Sequence, residues 1–173
     1  EDIEGITADT IEDYAFEGCM ETDGFFGGTM SYEFSEKAFA GSAFEAQTFV
    51  NGVKMVNYIV IDIDKDADKV VLPDTMAQPA IFLQDIDLGV VKEMVIHNPT
   101  SISNLQYNSN LPEKLTLEVD YYIRPEDILM LPQTKTKKAK CIRKLSIKSP
   151  HYVEIDGIIY TKDMKVYFLR KRL

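Results

Sequence analysis

The sequence predicts an α/β fold made of stacked repeating units, a solenoid closed by a C-terminal β-hairpin. Three observations lead to this prediction. The segment Thr10–Cys19 is echoed by Phe34–Ser42 at an offset of 23 residues. Short alternating runs recur later in the chain at a similar spacing, and the last segment is typical of a hairpin. A repeat of roughly 20–50 residues is typical of stacked units that share one continuous core.

The first repeat is predicted to contain a short helix. Thr10 and Asp13 suit its N-terminal cap, and Gly18 suits its end. A helix of at most about three turns is too short to be stable alone in water. We therefore expect Phe16 and its counterpart Phe39 to stack one unit on the next. The apolar positions have the spacing of one helix face: Ile11, Ala15, Phe16 and Cys19.

The middle of the chain is predicted to be a series of strands. Asn51-Gly52 is a turn signal for a hairpin closing onto 53–63, and the apolar run 58–63 is typical of a strand buried on both faces. Four alternating runs supply further strands, one from each unit, in a common sheet with loops or helical turns on the other face. We take four positions in these runs as equivalent, at steps of 24, 21 and 30 residues: Leu72, Ile96, Leu117 and Ile147.

The C-terminal segment is predicted to be a β-hairpin that caps the solenoid. Tyr152–Tyr160 and Val166–Leu169 resemble strands, and they flank the polar stretch Thr161–Lys165. A solenoid exposes the apolar side of its last repeat unless an atypical element covers it. We expect the hairpin to be that element.

The length of 173 residues suffices for one domain with a sizeable core. We predict a single domain over 1–173, in which 1–55 holds the best-matching repeats, 56–150 holds divergent repeats and 151–173 is the capping hairpin. There is no signal peptide and no apolar run near the ~18–20 residues that span a bilayer, so we expect a soluble chain. Its acidic start fits a mature form whose targeting segment has been removed.

Charge is distributed unevenly along the chain. Residues 1–90 carry 19 acidic and 4 basic side chains, whereas residues 91–173 carry 9 acidic and 15 basic side chains. In a compact molecule the two fields would partly cancel within a Debye length of about 8–10 Å. The asymmetry therefore favours an elongated molecule with two distinguishable ends.

A basic run is the candidate site for an anionic partner. It can attract sulfated glycans, anionic lipid or nucleic acid, but a solvated loop that offsets the acidic first half is the favoured interpretation. Nucleic acid is not expected as a partner, because no aromatic residue is interleaved for base stacking. The run contains Lys135, Lys137, Lys138, Lys140, Arg143 and Lys144.

Three tyrosines are candidates for exposed contact residues. Tyr107, Tyr121 and Tyr122 lie beside polar loops or predicted strand ends. Tyrosine supplies amphipathic contact area at a low entropy cost, which suits binding. Packing in the core is the alternative, and on the sequence alone we favour it.

No metal site is predicted. The spacing of the aspartates in 62–68 matches the start of an EF-hand loop. Ala67 stands where that loop needs glycine, and Pro73 stands where it needs a bidentate glutamate. We therefore interpret these aspartates as the end of a strand and the turn that follows.

No catalytic or cofactor site is predicted either. His97 and His151 lack metal-ligand spacing and have no motif-defined nucleophile beside them, so we interpret both as loop residues following strands. Cys19 and Cys141 do not form a disulfide framework, and we expect two unpaired thiols.

Three stretches resemble one repeat family. Ile11-x3-Ala15-Phe16-x-Gly18-Cys19 resembles the signature of the BspA-like leucine-rich repeats, also called the Treponema pallidum type, whose units of about 23 residues carry an Ile-Gly-x-x-Ala-Phe-x-x-Cys core. Val71–Met76 is similar to the strand-plus-Pro-Asp-Ser-Val segment of that repeat. Asp156–Asp163 is similar to the Asp-Gly-Val-Leu-Tyr-x-Lys-Asp run that often accompanies such arrays.

The resemblance implies a leucine-rich-repeat solenoid, a right-handed β-α superhelix with short strands in one sheet and short helices or turns on the other face. It also implies a bacterial secreted or cell-surface protein. We therefore expect a non-enzymatic binding or adhesion protein, without a cofactor, whose partner is a host or bacterial surface protein or glycan. The alternative is a structural or accessory module that assembles with itself or with other surface components.

Overall fold

The computed structural model describes residues 10–20, 33–35, 37–74, 79–83, 86–105, 108, 110–123, 142–156 and 158–168. This part of the chain is mostly β-sheet with few helices, and parallel pairing predominates. A 3-10 turn lies at Leu88–Val90 and a short α-helix, α1, at Thr100–Asn104. The strands, in chain order, are β1 (Thr10–Ile11), β2 (Glu33–Phe34), β3 (Val53–Val56), β4 (Ile59–Ile63), β5 (Lys69–Val71), β6 (Ile81–Phe82), β7 (Glu93–Ile96), β8 (Lys114–Glu118), β9 (Lys144–Lys148), β10 (Tyr152–Ile155), β11 (Ile158–Thr161) and β12 (Val166–Phe168).

The helix predicted for the first repeat is wrong. Thr10 does not cap a helix but begins β1, and residues 13–18 form consecutive turns. Tyr14 has a φ of 59°, in the left-handed region, which interrupts any α-helix. The Asp13 carboxylate, predicted to cap that helix, instead accepts hydrogen bonds from the Ser35 hydroxyl and the Lys37 N–H of the next repeat.

The two repeats are joined by backbone hydrogen bonds at the predicted offset. β1 and β2 pair in parallel, with Thr10 opposite Glu33, an offset of 23 residues. The N–H groups that a helix would have used internally donate to the other repeat instead, which is why the turns replace the helix. These bonds are Tyr14 N to Lys37 O (2.9 Å), Phe16 N to Ala38 O (3.2 Å) and Gly18 N to Gly41 O (3.0 Å).

The predicted equivalence of the later strands is confirmed by their register. β5, β7, β8 and β9 form a four-stranded parallel sheet in that order. Ile96 pairs with Leu117, and Leu117 pairs with Ile147. The Leu72 N–H donates to the Val95 carbonyl at 3.0 Å, which continues the same register to the first strand. Each of these strands therefore lies beside its counterpart from the neighbouring unit.

Strand β4 separates two hydrophobic cores. Ile59 packs into a smaller core with Phe16 and Phe39, whereas Val60 packs into a larger core, and both side chains are 0% exposed. The prediction that this run is buried on both faces is confirmed. Two turns shape the region before it: Asn51 and Gly52 have φ of 52° and 83°, and Asn57 has a φ of 52° where β3 turns back into β4.

The C-terminal segment differs from the predicted single hairpin. Tyr152–Tyr160 is not one strand, because Asp156, with a φ of 50°, turns the chain between β10 and β11. Asp-Gly is among the strongest hairpin signals in a sequence, and Asp156 lies in this turn. β10, β11 and β12 form a three-stranded antiparallel sheet, and the predicted turn at 161–165 is confirmed. Tyr152 and Ile159 pack this sheet onto the larger core.

Three phenylalanines hold the smaller core together. The rings of Phe16 and Phe39 stack with centroids 4.9 Å apart and an interplanar angle of 5°, so the predicted stacking is confirmed. Phe44 meets both rings edge-on, at 6.1 and 5.8 Å. Cys19 is a free, half-buried thiol packed against this core, whereas Cys141 lies outside the described residues.

Changing Phe16 to Ala should lower the free energy of unfolding by about 3–5 kcal/mol, because it empties a buried aromatic site. Urea unfolding measures the loss. Phe49→Ala is the matched control, since it removes the same atoms from a ring that is 38% exposed. It should cost only about 1 kcal/mol, chiefly through loss of the contact with the Lys54 ammonium, which lies 4.7 Å from the ring centroid. Equal losses in the two variants would show that Phe16 does not stack the repeats.

Candidate functional site

The four-stranded sheet has an apolar and a polar face. Successive side chains of a strand point to opposite faces, so each register position contributes a row across the sheet. The apolar face packs on the larger core. On the other, mostly polar face, one row contains Lys69, Glu93, Lys114 and Lys144, and the next contains Val71, Val95, Thr116 and Ser146. A third row contains Glu118 and Lys148, the last residues of β8 and β9, and His97 directly follows β7 beside them.

Glu93 is the centre of the polar face. Its carboxylate accepts hydrogen bonds from the Lys114 ammonium at 2.9 Å and from the Thr116 hydroxyl at 2.7 Å. Burial of the carboxyl raises its pKa, but these two bonds and the nearby positive charge of Lys69 outweigh burial, so the pKa of Glu93 lies below its ordinary value. Glu93 is therefore a fixed negative charge that joins two neighbouring strands.

A cleft of about 590 Å³ lies where the parallel strands end. The carboxyl ends of parallel strands meet at one edge of a sheet, which is where ligands commonly bind in open α/β sheets. Residues following β5 and β7, the end of β8 with its following segment, and the end of β9 all contribute to the wall. The cleft is lined by Asp74, His97, Glu118, Val119, Asp120, Tyr121, Lys148, Ser149 and Pro150. We call it the sheet-end cleft.

The two histidines hold the segment 118–122 in place. The ring of His97 donates from Nδ1 to the Glu118 carbonyl at 3.1 Å, and the ring of His151 donates from Nε2 to the Asp120 carbonyl at 2.7 Å. The predicted positions in loops next to strands are confirmed, but the sequence did not reveal this shared role. The signal was present: His97 directly follows Ile96, as Glu118 follows Leu117 and Lys148 follows Ile147.

Tyr121 and Tyr122 are exposed at this edge. Their exposed fractions are 46% and 64%, so neither is a core residue, contrary to the favoured interpretation of the sequence. Tyr121 lines the cleft, and its hydroxyl lies 3.5 Å from the His97 carbonyl oxygen. The Tyr122 ring lies against the His151 ring, with centroids 4.3 Å apart. Tyr107 lies outside the described residues.

Two of the six residues of the predicted basic patch lie in the part of the chain that the structure describes. Arg143 and Lys144 are exposed and lie at the start of β9, at the opposite end of that strand from the sheet-end cleft. Their backbone N–H groups both donate to the Glu113 carbonyl. The other members of the patch, Lys135, Lys137, Lys138 and Lys140, lie outside the described residues.

The aspartates at 62–68 make local contacts rather than a shared site. Asp62 is 3.7 Å from the Lys54 ammonium, and Asp68 is 2.7 Å from the Lys92 ammonium. Asp64 accepts a hydrogen bond from the Asp66 N–H at 3.0 Å, as expected for a turn. Across the described ranges, no three His, Cys, Asp or Glu side chains are grouped so that they could hold a metal ion.

The cleft can bind a ligand through several kinds of contact. It combines carboxylates, an ammonium group, an imidazole and a phenol ring, and its volume falls within the roughly 300–1,000 Å³ of small-ligand sites. The described part of the chain contains no helix long and apolar enough to cross a bilayer. The chain matches no protein-family model, no curated protein and no solved structure.

Glu93→Gln should make stability less sensitive to acid. A carboxyl with a lowered folded-state pKa stabilises the folded protein above its unfolded pKa, and this contribution is lost as the pH falls through the folded pKa. The stability advantage of the unmodified protein over the variant should therefore be largest near neutral pH and should shrink as the pH falls below the ordinary glutamate value of 4.5. Urea unfolding across that range measures it.

Glu12→Gln is the control for this experiment, since the Glu12 side chain is exposed. Its effect on stability should be small at every pH. A stability difference between the unmodified protein and Glu93→Gln that stays constant from neutral to acidic pH would contradict the role assigned to the Lys114 and Thr116 hydrogen bonds.

Proposed function

We propose that the protein is a non-enzymatic binding or adhesion protein, secreted or on a bacterial cell surface, that recognises a protein or glycan at the sheet-end cleft. We also propose that its strands belong to a right-handed leucine-rich-repeat solenoid of the BspA-like type. The single observation that carries the binding function is the cleft itself, in which consecutive units of one parallel sheet each supply polar side chains.

The repeat spacing supports the solenoid. Parallel pairing joins segments offset by 23 residues in β1–β2, 22 in β4–β6, 24 in β5–β7, 21 in β7–β8 and 30 in β8–β9. These pairs are divided among three sheets, and parallel pairing at offsets of this size is the arrangement expected of stacked repeats. The bacterial surface location rests on the motif resemblance.

The position of the tyrosines supports binding. Aromatic residues are enriched among the residues that dominate binding energy, and exposed rings beside a polar cleft are suited to contact a partner. Tyr121 and Tyr122 lie in the segment that His97 and His151 hold by hydrogen bonds. A site that is already ordered loses less entropy when it binds, which favours affinity.

The cleft is tested by capture of surface proteins and glycans. The immobilised protein and two variants are screened against host matrix proteins and a glycan array. Lys148→Glu reverses a charge in the cleft wall. Lys65→Glu is the control, because it reverses an exposed charge outside the cleft. We expect a captured ligand to bind Lys148→Glu roughly tenfold or more weakly. Lys65→Glu should bind like the unmodified protein. The proposal would be contradicted if no protein or glycan bound, or if all three proteins bound a ligand equally well.

Self-assembly is the competing function, and light scattering of the full chain separates it from ligand capture. A monomer over a wide concentration range, together with a captured ligand, agrees with the binding function. An oligomer that grows with concentration, with no captured ligand, would instead indicate a structural module.

A further inference from the structure

We propose that the sheet-end cleft binds a neutral saccharide. This ligand class rests on the binding function proposed above and narrows the ligand to one kind of chemistry. It is carried by three features of the cleft: the surplus of carboxylates in its wall, the mixture of hydrogen-bond donors and acceptors, and the exposed ring of Tyr121.

The charges in the wall disfavour an anionic ligand. Lys148 and Glu118 are paired, with 3.4 Å between the ammonium nitrogen and a carboxylate oxygen. Asp74 and Asp120 add two exposed carboxylates, which repel an anion. The one ammonium of the wall, on Lys148, is already paired with Glu118 and does not offset the other two carboxylates. A neutral ligand avoids the repulsion that an anion would meet.

The polar groups suit hydroxyls in particular. A carboxylate only accepts hydrogen bonds and an ammonium only donates them, whereas a hydroxyl does both. A sugar ring carries several adjacent hydroxyls, so it can donate to Asp120 and accept from Lys148 in one orientation.

The Tyr121 ring supplies the apolar part of the site, and Tyr122 is the exposed residue next to it in the chain. The C–H groups of a pyranose form an apolar face, and burying that face against an aromatic ring removes both from water. Tyr121 lines the cleft, and Tyr122 lies next to it in the chain with 64% of its surface exposed. The Tyr122 ring is supported by the His151 ring at 4.3 Å and by the edge of Tyr152 at 6.0 Å. Aromatic platforms of this kind bind a sugar ring without needing charge.

The experiment uses the full chain on an array of neutral di- to hexasaccharides of glucose, galactose, mannose and N-acetylglucosamine, printed beside sulfated and sialylated glycans. The same proteins are tested against the matrix-protein panel. Tyr121→Ala removes the ring, Tyr121→Phe keeps it, and Asp120→Asn removes an acceptor charge. Tyr14→Ala is the control, because Tyr14 is also exposed, at 48%, but lies in the first repeat. Circular dichroism and a melting curve verify that each variant is folded.

We expect at least one neutral saccharide to bind. Tyr121→Ala and Asp120→Asn should each weaken that binding roughly tenfold or more, which is the effect of losing about 1.4 kcal/mol of binding free energy. Tyr121→Phe and Tyr14→Ala should stay within about threefold of the unmodified protein. Addition of the free saccharide should protect the unmodified protein against thermal unfolding more than it protects Tyr121→Ala.

Other outcomes overturn the inference in distinguishable ways. Capture of a matrix protein through the cleft with no neutral saccharide bound would overturn it and leave the proposed binding function standing. Binding of sulfated or sialylated glycans alone would overturn it as well, since the carboxylates of the cleft wall should repel them. Neutral-saccharide binding that Tyr121→Ala leaves unchanged would place the site elsewhere. If the protein bound no glycan on the array and no protein in the panel, both proposals would be overturned.

Discussion

Backbone hydrogen bonding between equivalent segments of neighbouring units is the interaction on which the rest of the structure depends. Strands of two to five residues cannot satisfy their own N–H and C=O groups, and short strands gain stability only when other strands or a core support them. Even the turns of the first repeat obey this constraint, since Phe16 and Gly18 donate to Ala38 and Gly41 of the next repeat. Each unit therefore fixes the backbone position of the next one through hydrogen bonds. The stacked rings of Phe16 and Phe39 then stabilise this arrangement by burying apolar surface.

Side-chain pairs reinforce the same register. Asp68 with Lys92, Glu93 with Lys114 and Glu118 with Lys148 each join adjacent strands of the four-stranded sheet. The first pair is so exposed that water screens it, and it contributes little to stability. Glu93 is different, because its partly buried carboxylate also accepts the Thr116 hydroxyl. A register slip would separate these opposite charges, although the native register also places Lys114 opposite the like charge of Lys144.

The sheet-end cleft follows from the parallel arrangement. When every strand of a sheet runs in one direction, the chain leaves all of them at the same edge, and the residues after each strand gather there. His97, Glu118 and Lys148 occupy one register position of that edge. The histidines then order the segment that carries Tyr121 and Tyr122, so that the elements maintaining the fold also position the proposed binding residues.

The sequence by itself determined the repeat offset and the equivalence of Leu72, Ile96, Leu117 and Ile147, because parallel pairing preserves both spacing and side-chain alternation. It did not determine the turns of the first repeat or the cleft. The apolar spacing around Phe16 suits a helix and a series of turns equally, and only hydrogen bonds to the next repeat decide for turns. The position of Tyr121 likewise depends on distant residues, among them His97 and His151, whose rings donate to the carbonyls of Glu118 and Asp120. Such contacts join residues far apart in the chain, and therefore only the tertiary structure decided them.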